Sequence, residues 1–238
     1  MPRSPGPGPA TGAELTPVRW AILDAVPAEQ ARAILAVARC HRIGKGQTVF
    51  NEGDKGDCLY LLEAGKIAIR VTTPRGQVAT LRVLVAGDVF GELAVISPAR
   101  RNATAVALED VTVRTVHRDQ MTALRAKNPA VDQVLVQALT AEVRRLSRQL
   151  LQTMYVPLPQ RIAACLLDLA DAYATRTGPV DVPLTQEDIA GLCGTTRPTT
   201  NQVLKQLQLD GVIALARGRI VVLDQQALRA SADAVSAD

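Results

Sequence analysis

Aromatic residues are few in this sequence: one Trp, three Tyr and two Phe among 238 residues, 3% of the chain. Any core must therefore be built from Leu, Val, Ile and Ala. Only two histidines are present, His41 and His117, and they fall in different strand-like runs, each reading as a strand-end residue. Neither a nucleophile–base–orienter set nor a metal-ligand cluster occurs at a meaningful spacing, so neither an enzyme nor a metal site is expected. The four cysteines (Cys40, Cys58, Cys165, Cys193) form no CxxC pair, which argues against a disulfide framework and for a reduced, cytoplasmic setting. No apolar run reaches the roughly eighteen residues of a membrane-spanning helix. The opening MPRSPGPGPATGAE lacks the apolar stretch of a secretory signal.

What is present fits a soluble globular protein: 47% hydrophobic and 21% charged residues. The length corresponds to between one and two domains. The net charge of +4 is unevenly spread: residues 1–154 hold 20 basic and 14 acidic side chains, residues 155–238 hold 7 and 9. Bulk charge therefore carries no argument for nucleic-acid binding, which has to come from a local patch.

The pattern divides the chain into a Pro/Gly-rich disordered leader (1–17), a first domain (18–127), a long helix (128–155), a second domain (156–226) and a tail (227–238). Pro17 and Pro27 each open a short helical stretch. Between His41 and His117, glycines punctuate short β-branched runs, as in an antiparallel barrel or sandwich, with Pro74-Arg75-Gly76 a hairpin turn. Asp119 to Ala126 reads as a short helix. Asn128-Pro129 then opens a longer one to about Met154, broken by Pro157 and Pro159. The fold class is α+β.

In the long helix Val131, Leu135, Leu139, Val143, Leu146, Leu150 and Met154 recur three or four residues apart. Such a seam covers either the helix's own core or a second copy in a parallel coiled coil. A helix of roughly 26 residues is about 39 Å long and would outrun the preceding domain, so length favours the dimer.

Downstream, Thr185 caps a short helix whose first turn holds Glu187 and Asp188. After Cys193-Gly194-Thr195, Thr196 starts a second helix through Leu209, with Val203, Leu204, Leu207 and Leu209 for its buried side. Two helices joined by a glycine turn make a helix-turn-helix pattern. The start of the second presents Thr196, Arg197, Thr199, Thr200, Asn201, Gln202 and Lys205, an acid-free set of the donors that major-groove reading needs. Two apolar runs then flank Ala216-Arg217-Gly218-Arg219, a hairpin whose arginines suit phosphates.

A last constellation joins Gly87-Asp88-Val89-Phe90-Gly91-Glu92-Leu93-Ala94 to Arg101-Asn102-Ala103-Thr104. Gly91 permits close backbone approach, Arg101 supplies a bidentate cation, and Glu92 suits a hydroxyl or a base. Those roles fit a small phosphorylated ligand with a free ribose hydroxyl; a surface salt bridge is the plainer alternative.

These motifs, in this order over about residues 18–225, resemble the cyclic-AMP receptor protein and fumarate-nitrate regulator (CRP/FNR) family of bacterial transcription factors. The resemblance implies a jelly-roll-like cyclic-nucleotide-binding β-roll, a long dimerisation helix and a C-terminal winged helix-turn-helix. It implies a cytoplasmic homodimer that takes cyclic AMP as allosteric ligand, binds a pseudo-palindromic site in double-stranded DNA, and engages RNA polymerase and no membrane. In cyclic-AMP-binding members the glutamate at Glu92 holds the ribose hydroxyl and the arginine at Arg101 the phosphate, with backbone help around Gly91 and Leu93. Asn102 stands where Ser or Thr is usual. The Thr-Ser pair that reads the base falls on Leu146-Ser147, so the threonine hydroxyl is missing and adenine selectivity is in question. Arg197 matches the base-contacting arginine, while Pro198 and Gln202 replace a glutamate and a second arginine, which implies a different half-site. Cyclic GMP, cyclic di-GMP and a regulator without nucleotide stay open. An iron–sulfur sensor is disfavoured, since Cys40 alone lies near the N-terminus.

Overall fold

The computed structural model describes residues 18–73, 76–97, 99–174 and 178–233. The leader expected at 1–17, and Pro74-Arg75 of the expected hairpin turn, lie outside the described residues. Eight strands, β1 (Arg39–Ile43), β2 (Thr48–Phe50), β3 (Cys58–Ala64), β4 (Ile67–Thr72), β5 (Val78–Leu84), β6 (Val89–Phe90), β7 (Thr104–Ala107) and β8 (Val111–His117), make two antiparallel sheets. Their orders are β1-β8-β3-β6 and β2-β7-β4-β5. The first and last strands pair, Arg39 opposite Thr115 through Ile43 opposite Val111, which closes the roll. His41 thus lies in the middle of β1 rather than at its end, while His117 does end β8.

Aliphatic side chains make up most of the roll's core: Leu62, Ile67, Leu84, Ala105 and Val113 pack between the sheets, joined by Phe90 with Phe50 and Tyr60 against it. Strand β3 is buried on both faces, so its apolar residues run on without alternation. Its other face, with Leu59 and Leu61, is covered by α1 (Ala28–Val37), α3 (Arg118–Lys127) and the start of the long helix through Ile34, Met121 and Val134. Trp20 joins this cluster and donates its indole N–H to the Leu62 carbonyl at 3.1 Å. A single helical turn, α2 (Leu93–Ile96), follows β6.

Asn128 Oδ1 accepts the Ala130 amide at 2.9 Å and opens a 3-10 turn, Pro129–Val131, that leads into α4 (Asp132–Tyr155). At 24 residues α4 is about 36 Å long. The seam read from the sequence divides. Val131 and Leu135 are buried in the roll's own cluster, whereas Val143, Leu146, Leu150 and Met154 are 50–61% exposed. Pro157 precedes α5 (Leu158–Tyr173) and Pro159 sits in its first turn. Pro159 therefore starts a helix instead of breaking one, because an N-terminal turn has no use for its missing N–H.

The second unit comprises α5, β9 (Val180–Val182), α6 (Gln186–Leu192), α7 (Arg197–Leu209), β10 (Ile213–Ala216), β11 (Arg219–Val222) and α8 (Gln225–Asp233). Its core holds Ile162, Leu166, Leu184, Ile189, Leu204, Ile220 and Leu228. Two expectations are corrected here. The tail from 227 is helical as far as it is described, because Leu228 of α8 packs into this core. Leu209, assigned to the buried side of α7, is 81% exposed, since the last turn overshoots the core.

The two units touch through α6 and β5. Asp188 Oδ1 accepts the Thr80 hydroxyl at 2.6 Å and Arg70 Nη2 at 3.1 Å. Its Oδ2 accepts the Thr185 amide and hydroxyl at 2.9 and 2.7 Å, part of the capping box of α6. Gly191 of α6 lies so close that a Cβ would stand 2.6 Å from the Thr80 amide nitrogen. Among the described residues no helix is long and apolar enough to cross a membrane.

Candidate functional site

Arg101 lines a cavity of about 460 Å³ between the roll and α4. It is 6% exposed. Nη1 donates to the Gly91 carbonyl at 3.1 Å, and Nη2 to the Cys58 carbonyl at 2.9 Å. Its guanidinium stacks over Phe50 at 4.2 Å and faces Tyr60 at 5.4 Å. Tyr60 and Phe90 stack with centroids 4.9 Å apart. Both phenylalanines and one of the three tyrosines are thus gathered at one cation. Nε is buried without a partner, and among the described residues Arg101 makes no ion pair. A buried charge without a counter-charge is expensive, and this one borders a cavity.

Gly91 is required twice over. Its φ of +75° is a left-handed conformation that glycine adopts readily, and a Cβ there would stand 2.5 Å from Arg101 Nη1. Glu92, half-buried, follows it at the entry to α2. Burial, chiefly, pushes its carboxyl above the ordinary range, aided by the charge of Glu142; the charges of Arg82 and Arg101 pull the other way. Arg118 fastens the far side of this turn, donating to the Ala94 carbonyl and, at 2.7 Å, to the Gly56 carbonyl.

Gly91, Glu92, Leu93, Arg101 and Asn102 all line the cavity. Leu146 and Ser147 do not, and both are exposed. From α4 the wall is formed instead by Gln137, Ala138, Ala141, Glu142, Arg145 and Arg148. Sequence reading also missed Arg82, which bonds Asp88 at 2.7 Å and approaches Glu142 at 3.5 Å; Glu142 in turn binds Arg145 at 2.7 Å. The three-residue step from Glu142 to Arg145 was a visible signal. Arg82, an ordinary polar residue of a strand, gave none.

In the second unit the Thr185 cap is formed, its Oγ1 accepting the Asp188 amide at 3.1 Å. Thr196 occupies the N-cap of α7 but its hydroxyl pairs with Thr199 at 2.9 Å instead of capping. Thr196, Arg197, Thr199, Gln202 and Lys205 are exposed and Asn201 is half-buried. Thr200, read as part of this face, is fully buried because it lies one turn before Leu204 on the core side. Ala216 pairs with Arg219, so Arg217-Gly218 forms the hairpin tip, with Gly218 at φ +74°. Arg219 pairs with Asp181 at 3.1 Å, while Arg217 makes no ion pair among the described residues.

One further grouping was invisible in the sequence. Asp57, Cys58 and His117 bring a carboxylate, a thiol and an imidazole within 4.8 Å of one another. No spacing in the sequence announces it, because β3 and β8 pair Cys58 with His117 across a long sequence separation.

Known proteins agree with this layout. The cyclic nucleotide-binding domain family matches residues 40–128 and the Crp-like helix-turn-helix domain family matches residues 160–231. A CRP-like cAMP-activated global transcriptional regulator of Mycobacterium tuberculosis is 33% identical over 187 residues, 77% of this chain and 84% of that protein. A cyclic AMP receptor protein of Thermus thermophilus is 32% identical over 178 residues, 75% of this chain and 81% of its own. The crystal structure of a CRP-family transcriptional regulator from Thermus thermophilus superposes with a TM-score of 0.69 at 30% identity, covering 82% of this chain and 97% of that one. The likeness thus spans roll, long helix and reading unit together, and the chain belongs to the CRP/FNR family, whose members regulate transcription and are not enzymes.

Proposed function

We propose that this chain is a homodimeric DNA-binding regulator of transcription controlled by a cyclic nucleotide, with cyclic AMP the ligand. The observation that carries the reading is Arg101, a buried cation without a carboxylate partner among the described residues, at a cavity that Glu92 also lines. A cyclic phosphate supplies the missing counter-charge, and a ribose hydroxyl supplies a donor to the Glu92 carboxylate. The two relatives named for cyclic AMP support the choice. The exposed stripe on α4 is the dimer seam, α7 reads the major groove of a pseudo-palindromic site, and Arg217 and Arg219 hold phosphates. The regulator works in the cytoplasm with RNA polymerase as its partner.

Calorimetric titration with cyclic AMP, cyclic GMP and cyclic di-GMP tests the ligand. Cyclic AMP is expected to bind most tightly. Arg101→Ala should weaken it tenfold or more, since a hydrogen bond to a charged group contributes about 1.5–3 kcal/mol. No heat and no change in DNA affinity at millimolar cyclic AMP would refute the reading. A second reading, a regulator of this fold that needs no nucleotide, is favoured by one observation: Leu146 and Ser147 stand outside the cavity wall.

A further inference from the structure

Strand pairing sets Cys58 directly opposite His117, and Asp57 precedes Cys58 where the chain enters β3. Asp57 Oδ2 stands 3.6 Å from His117 Nδ1. The thiol is buried, while the Asp57 and His117 side chains are 70% and 43% exposed. The three form a cup, with a soft donor at its base and two harder donors at a mouth open to solvent. As a bare ion pair, Asp57 and His117 would contribute little at such exposure.

We propose that Asp57, Cys58 and His117 bind a divalent transition-metal ion of the zinc class. One sulfur, one nitrogen and one oxygen are the mixture that borderline ions favour and that magnesium and calcium do not. Tetrahedral bonds of about 2.0–2.3 Å place ligand atoms about 3.3–3.8 Å apart. The cup, with its donors inside 4.8 Å, closes to that size by rotation of the two exposed side chains. Three protein donors leave a fourth position for water, as in exchangeable sites rather than closed structural ones. On binding, the thiol proton leaves to solvent and a sulfur lone pair forms the metal bond; no redox partner is involved.

The site adjoins the arginine of the cavity. Arg101 Nη2 lies 3.6 Å from the Cys58 sulfur and 2.9 Å from its carbonyl oxygen. A dication and an uncompensated guanidinium repel each other, and an anion on Arg101 relieves that repulsion. Metal and anion therefore strengthen one another by a common factor. This coupling rests on the cyclic-nucleotide reading; the metal site does not.

Cobalt(II) titrated into the full-length protein without nucleotide tests the site. One ion per chain is expected, with thiolate-to-cobalt charge-transfer absorption and the intense visible bands of a four-coordinate ion. Cys58→Ser should remove the charge-transfer band and Cys40→Ser should leave it. Asp57→Asn at an exposed position and His117→Gln at a half-buried one, which serve if Cys58→Ser does not fold, should weaken binding by more than the roughly 10–100-fold that loss of an outer-sphere partner costs. A spectrum without the charge-transfer component, or a band that survives Cys58→Ser, overturns the site. Saturating cyclic AMP should raise cobalt affinity about fivefold or more, and Arg101→Ala should abolish the rise. Cobalt affinity indifferent to bound cyclic AMP overturns the coupling.

Discussion

Glu92 holds a charge that its surroundings oppose. Burial raises its carboxyl above the ordinary glutamate value, so the folded protein binds that proton more tightly than the unfolded chain. The sign follows: stability is highest below the ordinary value of about 4.3 and declines as pH rises from there through the raised value. Glu92→Gln removes the charge. It should raise the melting temperature of the ligand-free protein at neutral pH and abolish the preference for ribose over 2′-deoxyribose nucleotides. Calorimetric melting and paired titrations check this, and an unchanged melting temperature with the preference intact would count against the assignment. At this scale legibility depends on neighbours in sequence. Glu92 and Arg101 stand out because Gly91 and the runs around them are local. Arg82 and the Asp57-Cys58-His117 group depend on strand register, which no single segment encodes.

For the elements, periodicity announced α4 and its apolar stripe but not which part of the stripe its own domain covers. Burial of Val131 and Leu135 leaves Val143, Leu146, Leu150 and Met154 uncovered. Lysine at Val143 and Leu150 should leave the monomer folded, because both are over half exposed, and should destroy the dimer by placing charge in an apolar seam. Sedimentation of the wild type should give about twice 25.3 kDa, and the double variant the single mass. A wild-type monomer at micromolar concentration would defeat the seam. The reading helix and its hairpin should separate by their chemistry. Arg197→Ala is expected to cost about 1–3 kcal/mol at the preferred site and relax specificity there. Arg217→Ala should weaken binding to every sequence and lower its salt slope by about one. Binding isotherms over a salt series distinguish them. Equal, sequence-independent losses from both would mean that Arg197 touches only phosphate.

In the whole molecule, one carboxylate bridges the units beside the close packing of Gly191 on Thr80 and the contact of Lys66 with the Tyr173 ring. Burial pushes the Asp188 carboxyl up, but the hydrogen bonds from Thr80 and Thr185 and the Arg70 charge together outweigh it and hold it below the ordinary range. Its contribution is therefore full above about pH 4, the ordinary aspartate value, and is lost as pH falls from there through the depressed one. Thr80→Val removes one charged hydrogen bond across the contact, about 1.5–3 kcal/mol. Limited proteolysis between the units should quicken in this variant at neutral pH, and in the wild type on acidification; cleavage rates equal in both proteins would sink the assignment. The sequence placed Asp188 correctly in the first turn of α6, where its acid favours the helix. Its partners on β4 and β5 were out of reach, because contacts between domains leave no periodicity.

The two oxygens of Asp188 have separate employments. Oδ2 faces Thr185 and closes the start of α6; Oδ1 faces Thr80 and Arg70 across the gap. Parting the units exposes only Oδ1, for which water is a ready substitute, and leaves the cap on its own helix whole. The contact of Asp188 with the roll is thus separable from its capping role, so that a change breaking only the first, such as Thr80→Val, should leave the start of α6 intact.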